Sequence, residues 1–401
     1  MLSFLHAADL HLGLRVTRFD PKTAGHVREA RFQALDTLLL HAQRLAREGK
    51  LDFLLIAGDL FDDHAVDREI ARRAFKMLDE KSPAPVYILP GNHDPLLSGG
   101  VWDREPWSGA DGGRVRLLRR REPVAVGTDA KLFPCPVERK TSVDDPTSWI
   151  DPNRDGGIRI GVAHGSLKVR NDLPPDDHLI SRHAVRERGL DYLALGHWHS
   201  RNLYADPEGV NRTAYPGVHE PMRFQGSTEL RGWLPYSTGG IREEFLDTGR
   251  GEVLHVQIAE PGAPPVIEPI AVGHLTWLEE ERRLNSETEL AELINEVANR
   301  PDPHRRLLRL KLAGVLPATA MLRLGELAQV VEGRYLLGEL DHQALHMEPT
   351  ETEVEEVAGQ GILRRVVEKL REETRVEDTS QRLLSERAIL LLYEIAKGVK
   401  T

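Results

Sequence analysis

Five short stretches place metal-ligating side chains directly after apolar runs: DLH (Asp9, His11), GDLFD (Gly58 to Asp62), GNHD (Gly91 to Asp94), AHG (His164) and GHWH (Gly196 to His199). The second is the plainest. In LLIAGDLFDDH, residues 54–64, an apolar run stops at Gly58, and Asp59, Asp62, Asp63 and His64 follow. Such a cluster at the tip of a buried strand is poor as structure, because desolvated carboxylates are costly unless paired. Asp9 with His11, and His197 with His199, are spaced i, i+2. On an extended strand residues so spaced point the same way, so two pairs from different strands can converge on one ion. A mixed oxygen and nitrogen donor set suits Mn, Fe or Zn better than Mg or Ca. Asp9, His11, Asp59, Asn92, His164, His197 and His199 make seven donors, more than one tetrahedral site takes. They fit two ions sharing a bridging carboxylate, with Asp59 as the bridge. Paired ions about 3.5–4 Å apart clamp the attacking and leaving oxygens of a phosphoryl displacement. Singly the motifs are weak, since GNHD or GHWH alone also suits a plain turn. Their number, order and shared position after strands carry the inference.

The elements that position them alternate. SFLHAADLH, DFLLIAGD, APVYILPGNHD, IRIGVAHG and DYLALGHWH read as strands ending in Gly or a polar residue. Leu35, Leu38, Leu39, Ala42 and Leu45 have helical spacing and predict a helix over roughly 23–48; Ile70, Ala74, Phe75 and Leu78 predict another. This alternation is that of an α/β domain with buried strands, whose ligands bind at the strands' carboxyl ends. Beyond residue 250 the pattern changes to strand, helix, strand, helix, strand, then the acidic EPTETEVEEVAGQG, then two helices.

Composition sets outer limits. A chain of 401 residues is too long for one ordinary core. Hydrophobic content of 40% and charged content of 29% are those of a soluble globular protein. No apolar run reaches the ~18 residues of a membrane span. The N-terminus MLSFLHAADLH has no basic region and no long apolar core, so a cytoplasmic protein is expected. The single Cys135 excludes an intrachain disulfide and fits a reducing compartment. A net charge of -10 excludes a polycation, so nucleic-acid binding would need local patches or metal ions.

The motif order resembles the calcineurin-like metallophosphoesterase superfamily over roughly residues 1–245. Within it, MLSFLHAADLHLG, AGDLFD, PGNHD, GHWH and AYPG look most like the SbcD-like DNA repair exonucleases. LFPCPVERKTSVDDPTSWI is closer to the variants typified by YhaO. The resemblance implies an α/β fold with a two-sheet β-sandwich flanked by helices, four layers deep, over residues 1–250. It further implies an α+β capping domain over 251–346, an acidic linker over 347–361 and C-terminal helices over 362–401 that dock a partner. Two divalent ions are implied, Mn²⁺ first, with Mg²⁺, Fe²⁺ or Zn²⁺ as alternatives. One would take Asp9, His11, Asp59 and His199, and the other Asp59, Asn92, His164 and His197. His93 would not be a ligand but would assist the leaving oxygen as general acid or charge stabiliser. The implied activity is exonuclease and endonuclease cleavage in double-strand break processing. The implied partners are DNA, an SbcC-like ATPase with a coiled coil, and a second copy of the chain.

Some residues depart from that pattern. Archaeal and eukaryotic relatives carry histidine at the position of Asp62, so Asp62 and, with it, Asp94 are expected behind the ligands or against substrate. His64 is either a substitute for that histidine or a surface residue. Val218 stands where a serine usually follows Tyr-Pro-Gly, and the stretch up to GWLPYSTGG is unfamiliar. Arg114, Arg116, Arg119, Arg120 and Arg121, and DPHRRLLRLKL, are phosphate-binding patches or solvated edges. Leu384, Ala388, Leu391, Leu392 and Ile395 form a stripe that either packs on its own chain or docks the ATPase. Trp198 is expected in the core. A phosphodiesterase for small nucleotides predicts a minimal chain, whereas a second module follows here. A non-catalytic adaptor predicts lost ligands, and all seven are present. A nuclease of a defence system would use the same chemistry.

Overall fold

The computed structural model describes residues 1–110, 112–153, 156–224, 251–348, 354, 362–373, 384–385, 388–389 and 391–392. The chain packs as two compact units, residues 1–279 with 304–307, and 280–303 with 308–401.

The first unit contains two six-stranded sheets. In one, β1 (Leu2–Ala7), β2 (Phe53–Ala57), β3 (Val86–Leu89) and β4 (Val115–Leu117) run parallel. In the other, β5 (Val124–Val126) lies antiparallel to β6 (Ala130–Cys135), which runs parallel to β7 (Ile158–His164) and β8 (Tyr192–Gly196). There β9 (Asn202–Ala205) forms the far edge, antiparallel to β10 (Asn211–Tyr215), which is parallel to β8. Two later strands complete the first sheet. β11 (Glu252–Ile258) pairs antiparallel with β1, Leu2 opposite Ile258, and β12 (Val266–Ala271) pairs with β11. The strands at 252–271 therefore belong with the first unit, and the division expected at residue 250 lies instead at Glu279.

Every residue of β1, β2, β3, β7 and β8 is buried, as their largely apolar sequences require of strands covered on both faces. Phe4, Phe53, Leu55 and Leu89 of the first sheet meet Leu132, Ile160, Val162 and Tyr192 of the second. On the first sheet's other face, Leu5, Leu54, Ile56 and Ile88 pack with Leu35, Leu38, Leu39 and Ala42 of α1 (Pro21–Arg47). Ala71, Ala74 and Leu78 of α2 (Arg68–Lys81) join the same layer. Asp20 caps α1 and Asp67 caps α2, each accepting from backbone N–H groups of the first turn. The second sheet's outer face, Phe133, Cys135, Leu193 and Leu195, is covered by Ile180, Ala184 and Val185. The layers run helix, sheet, sheet, helix, which is the expected sandwich.

In the second part of the chain the elements are β13 (Thr276–Leu284), α3 (Glu287–Asn299), β14 (Arg306–Leu316), α4 (Leu324–Arg334) and β15 (Leu337–Met347), in the predicted alternation. The three strands form one sheet in that order. Leu290, Leu293 and Val297 of α3 and Leu327 and Val331 of α4 are buried with alternate residues of β14. Most of the expected acidic linker, and Ile395 of the apolar stripe, lie outside the described residues. Within the stripe, Leu384 and Leu391 are exposed. Among the described residues no helix is long and apolar enough to cross a membrane.

An aromatic layer beneath the strand ends couples fold to site. Phe61, Trp102 and Trp107 contact one another edge-on or tilted, and Phe75 abuts Trp107. The Trp107 indole donates to the Ala71 carbonyl at 3.0 Å, and the Trp102 indole donates to the Asp94 carbonyl. Trp107→Ala is expected to lower the unfolding free energy by about 3–5 kcal/mol. The check is a lower urea midpoint at unchanged slope; an unchanged midpoint would show that this layer does not support the strand ends.

Candidate metal centre

Each of the five motifs follows, or ends, one of the five fully buried strands. Asp9 and His11 come after β1, Asp59 after β2, Asn92 and His93 after β3, His164 at the end of β7, and His197 and His199 after β8. The i, i+2 pairs do not converge through the strand pleat. Asp9, His11, Asp59 and His197 have left beta geometry and hold φ of 54°, 43°, 52° and 104°. Backbone hydrogen bonds hold these turns, with Asp9 N–H donating to the Gly58 carbonyl (3.1 Å) and His11 N–H to the Asp59 carbonyl (3.0 Å). Such strain in non-glycine residues costs of order 1–3 kcal/mol each and persists where surroundings impose it. Glycine is obligatory beside it. A Cβ on Gly58, itself at φ +94°, would sit 2.0 Å from His164 Nδ1, and one on Gly91 would sit 2.1 Å from Asp59 Oδ1.

The donors meet. Three overlapping groups form: Asp9, His11 and His199; Asp9, Asp59 and His164; and His11, Asp59 and His93. His11 Nε2 lies 3.1 Å from His199 Nε2, 4.0 Å from Asp9 Oδ1 and 3.8 Å from Asp59 Oδ2. His164 Nδ1 lies 3.0 Å from the Ala57 carbonyl, which can only accept, so that nitrogen carries the proton. Its Nε2 lone pair is then aimed at two further acceptors, Asn92 Oδ1 at 2.8 Å and Asp59 Oδ2 at 3.3 Å. His197 Nδ1 faces the same Asn92 oxygen at 3.2 Å. Lone pairs facing lone pairs are repulsive unless a cation or a proton sits among them. Burial disfavours a charged His164, but Asp59, and behind it Asp9, outweigh it and push the ring up to about 10. Burial raises Asp9, only partly offset by His164; Asp59, also buried, is driven the other way by His164 and His11.

The remaining candidates surround this group. His93 is exposed, and its Nδ1 donates to the Asp62 carbonyl at 2.9 Å while its backbone N–H holds Asp59 Oδ1 at 2.9 Å. The Asp62 carboxylate lies 3.2 Å from His11 Nδ1; burial would raise it, but His11 and His93 hold it below its usual range. Asp94 is fully buried and accepts from Phe61 N–H (2.9 Å) and Gly91 N–H (2.7 Å), tying two ligand turns together. His64 pairs with Asp63 at 3.1 Å and joins none of the three groups. Trp198 is half-buried, stacked on Tyr215 with ring centres 4.6 Å apart. Of the arginine patch, Arg114 donates to the Ser82 carbonyl, Arg116 to the Tyr87 hydroxyl and Arg119 to the Trp102 carbonyl, all three holding the fold.

Residues outside the motifs also matter. Arg31 of α1 is fully buried and donates from Nε to the carbonyl of Leu10, between Asp9 and His11. Asp177 lies 3.0 Å from His197 Nε2. Neither carried a signal in the sequence, since each comes from a segment remote from the motif it supports.

A family model described as calcineurin-like phosphoesterase matches residues 2–201, half of the chain. The chain belongs to this metallophosphoesterase superfamily. Among its relatives is YhaO of Bacillus subtilis strain 168, described as an uncharacterized metallophosphoesterase. It is 26% identical over 260 residues, 61% of this chain and 60% of that protein. The DNA double-strand break repair protein Mre11 of Methanopyrus kandleri is 26% identical over 60% of this chain and 56% of its own length. That of Aeropyrum pernix is 25% identical over 56% and 55%. The chain thus spans a little over half the length of each of these relatives. Metallophosphoesterases use a centre of two metal ions, and the converging lone pairs around Asp59 fit such a requirement.

The His164 geometry has a consequence for metal uptake. At pH 7.5 the metal-free ring, with its pKa raised to about 10, is protonated, and a ligand nitrogen must give that proton up. Because the pKa is raised, the proton is lost only as pH climbs through that value, so affinity for divalent ions should rise with pH from 7 toward 10. Calorimetric titration with Mn²⁺ in two buffers of different ionisation enthalpy should show release of about one proton per protein as His164 gives up its proton. A buffer-independent heat would contradict a protonated His164.

Proposed function

We propose that this protein is a cytoplasmic, metal-dependent DNA nuclease, an SbcD-like enzyme that hydrolyses phosphodiester bonds during double-strand break processing. The observation that carries the proposal is the meeting of Asp9, His11, Asp59, His164 and His199 in overlapping groups, two of which contain Asp59, with the exposed His93 reaching Asp59 and His11 in one of them. Its support on the nuclease side is the similarity to two proteins named for DNA double-strand break repair. A second module after the phosphoesterase unit agrees with it.

Asp9, His11, Asp59 and His199 would hold one ion, and Asp59, Asn92, His164 and His197 the other. When bound, two divalent ions neutralise phosphate charge and activate the attacking water. Mn²⁺ is the expected metal. The protein's own groups do the rest. With Nδ1–H committed to the Asp62 carbonyl, His93 has Nε2 left for substrate, and in its protonated form that nitrogen donates to the leaving oxygen. Asp62 braces both His93, through its carbonyl, and His11, through its carboxylate. An SbcC-like ATPase and a second copy of the chain complete the proposed assembly, with the C-terminal helices as the docking element.

The net charge of -10 favours a second reading, a phosphodiesterase for a small nucleotide, because an acidic chain attracts a DNA backbone poorly. End-labelled DNA incubated with the protein and Mn²⁺ separates the two. Cutting is expected, abolished by EDTA and reduced about 10²–10⁴-fold in His93→Asn. Hydrolysis of a generic phosphodiester without cutting of any DNA, with or without an ATPase partner, would replace the nuclease with the small-substrate enzyme.

A further inference from the structure

We propose that Asp177 is a positioning residue for one of the two metal sites, acting through His197. This rests on the metal-centre reading above but concerns a residue outside all five motifs. Asp177 Oδ1 lies 3.0 Å from His197 Nε2. A carboxylate only accepts, so Nε2 carries the proton and the His197 lone pair is on Nδ1. Nδ1 is the nitrogen that faces Asn92 Oδ1 at 3.2 Å, toward the donor cluster. Asp177 thereby selects the tautomer that a ligand at this position needs.

The carboxylate is itself held. Its Oδ2 accepts from the Ser166 hydroxyl, and Ser166 Oγ accepts from the Trp198 indole at 2.9 Å. The proton order in this chain is therefore fixed from one end. The indole can only donate, so the serine hydroxyl turns its own hydrogen to Asp177, which leaves Oδ1 for His197. Ser166 N–H also donates to the Asp177 carbonyl at 3.3 Å, and Trp198 stacks on the buried Tyr215. The neighbouring His178 is one of six described non-glycine residues with positive φ, at 50°, so this loop is bent to present Asp177 where it stands. His197 sits on a turn with φ of 104°, past the end of β8, with its ring edge-on to that of His164 at 5.3 Å between ring centres, a contact that does not choose which of its nitrogens holds the proton.

Partners of this kind fix ring orientation and raise donor strength, and their loss weakens metal binding about 10–100-fold. The test is calorimetric titration of the metal-free full-length protein with Mn²⁺. Wild type is expected to take two ions. Asp177→Ala should weaken one of them by about 10–100-fold and leave the other unchanged. Ser166→Ala should weaken the same ion by less, and Asp177→Asn, which keeps an acceptor oxygen, should lie nearest wild type. In protein labelled with ¹⁵N-histidine, the His197 ring should appear as the Nε2–H form in wild type and as a tautomer mixture in Asp177→Ala. Two ions bound with wild-type affinities in Asp177→Ala would overturn the proposal while leaving the metal centre intact. Equal weakening of both ions with a lower melting temperature of the metal-free protein would overturn it too, since that is what a merely structural role does. If Asp177→Ala does not fold, Ser166→Ala and Asp177→Asn carry the same comparison. A wild-type protein that takes up no ions would remove the metal centre itself, and this proposal with it.

Discussion

Two carboxylates, Asp9 and Asp59, are buried within reach of one another, and the rest of the first unit is organised around that unfavourable fact. Removing one such charge from water costs several kcal/mol unless hydrogen bonds and opposite charge compensate. Compensation comes from every side. The backbone N–H of His197 donates to both oxygens of Asp9, and that of His93 donates to Asp59. The imidazoles of His11 and His164 close in from the remaining directions. Arg31 adds a buried cation behind them, its guanidinium lowered to about 10 by burial although Glu220, Asp62 and Asp9 pull the other way. A site that concentrates negative charge this way is poised for cations, and the same carboxylates push the buried His164 ring upward.

No single sheet could assemble it. The turns after β1, β2 and β3 bring Asp9, His11, Asp59 and Asn92 to one rim, and β7 and β8 bring His164 and His197 to the rim of the other sheet. The distance between rims is set by the apolar layer between the sheets, where Phe4 stacks on Phe53 with ring centres 4.7 Å apart and meets Tyr192 edge-on. Interiors pack densely and resist sub-ångström change, so the core fixes the site's dimensions more firmly than any hydrogen bond at its surface. Gly196 marks how closely the two sheets approach there, since a Cβ on it would fall 2.0 Å from the Ala57 carbonyl of the other sheet.

What was legible in the sequence was the punctuation. Gly58 and Gly91 follow apolar runs and precede polar clusters, and that local pattern locates a strand end and a ligand together. The way the ligands converge was not legible. Spacing of i, i+2 suggested pleat geometry for Asp9 and His11, whereas the chain leaves beta geometry at both and turns them inward with positive φ. A period-2 argument holds only while a strand continues, and hydrogen bonds from the β1 turn to the β2 turn end it. Asp177 and Arg31 were invisible for a different reason. Asp177 lies 20 positions from His197 in a proline-rich loop, and Arg31 sits in a helix whose other arginines are exposed. Only the tertiary fold distinguishes either from its neighbours. The strands at 252–271 are not legible as part of the first sheet because β11 pairs with β1, at the far end of the chain, and β12 joins only through β11.

The use of turns instead of strand positions has a physical logic. A side chain on a regular strand is locked by the ladder into one of two directions, and adjacent strands stand about 4.8 Å apart, wider than the spacing of donors around an ion. Left-handed turns past the ladder let each backbone rotate its ligand inward and pass its carbonyl or amide to the next turn. The chain of contacts from Asp9 to Gly58, from His11 to Asp59, and from His93 back to Asp59 shows this interlock. Strain at each turn is tolerable because the turns brace one another, and a set of mutually braced turns cannot relax one member at a time. Preorganisation of that kind is what a phosphoryl-transfer site requires, since donors that must rearrange during reaction stabilise charge less well than donors already in place. His93 alone among the five motifs' histidines is left exposed, its ring set edge-on to His11.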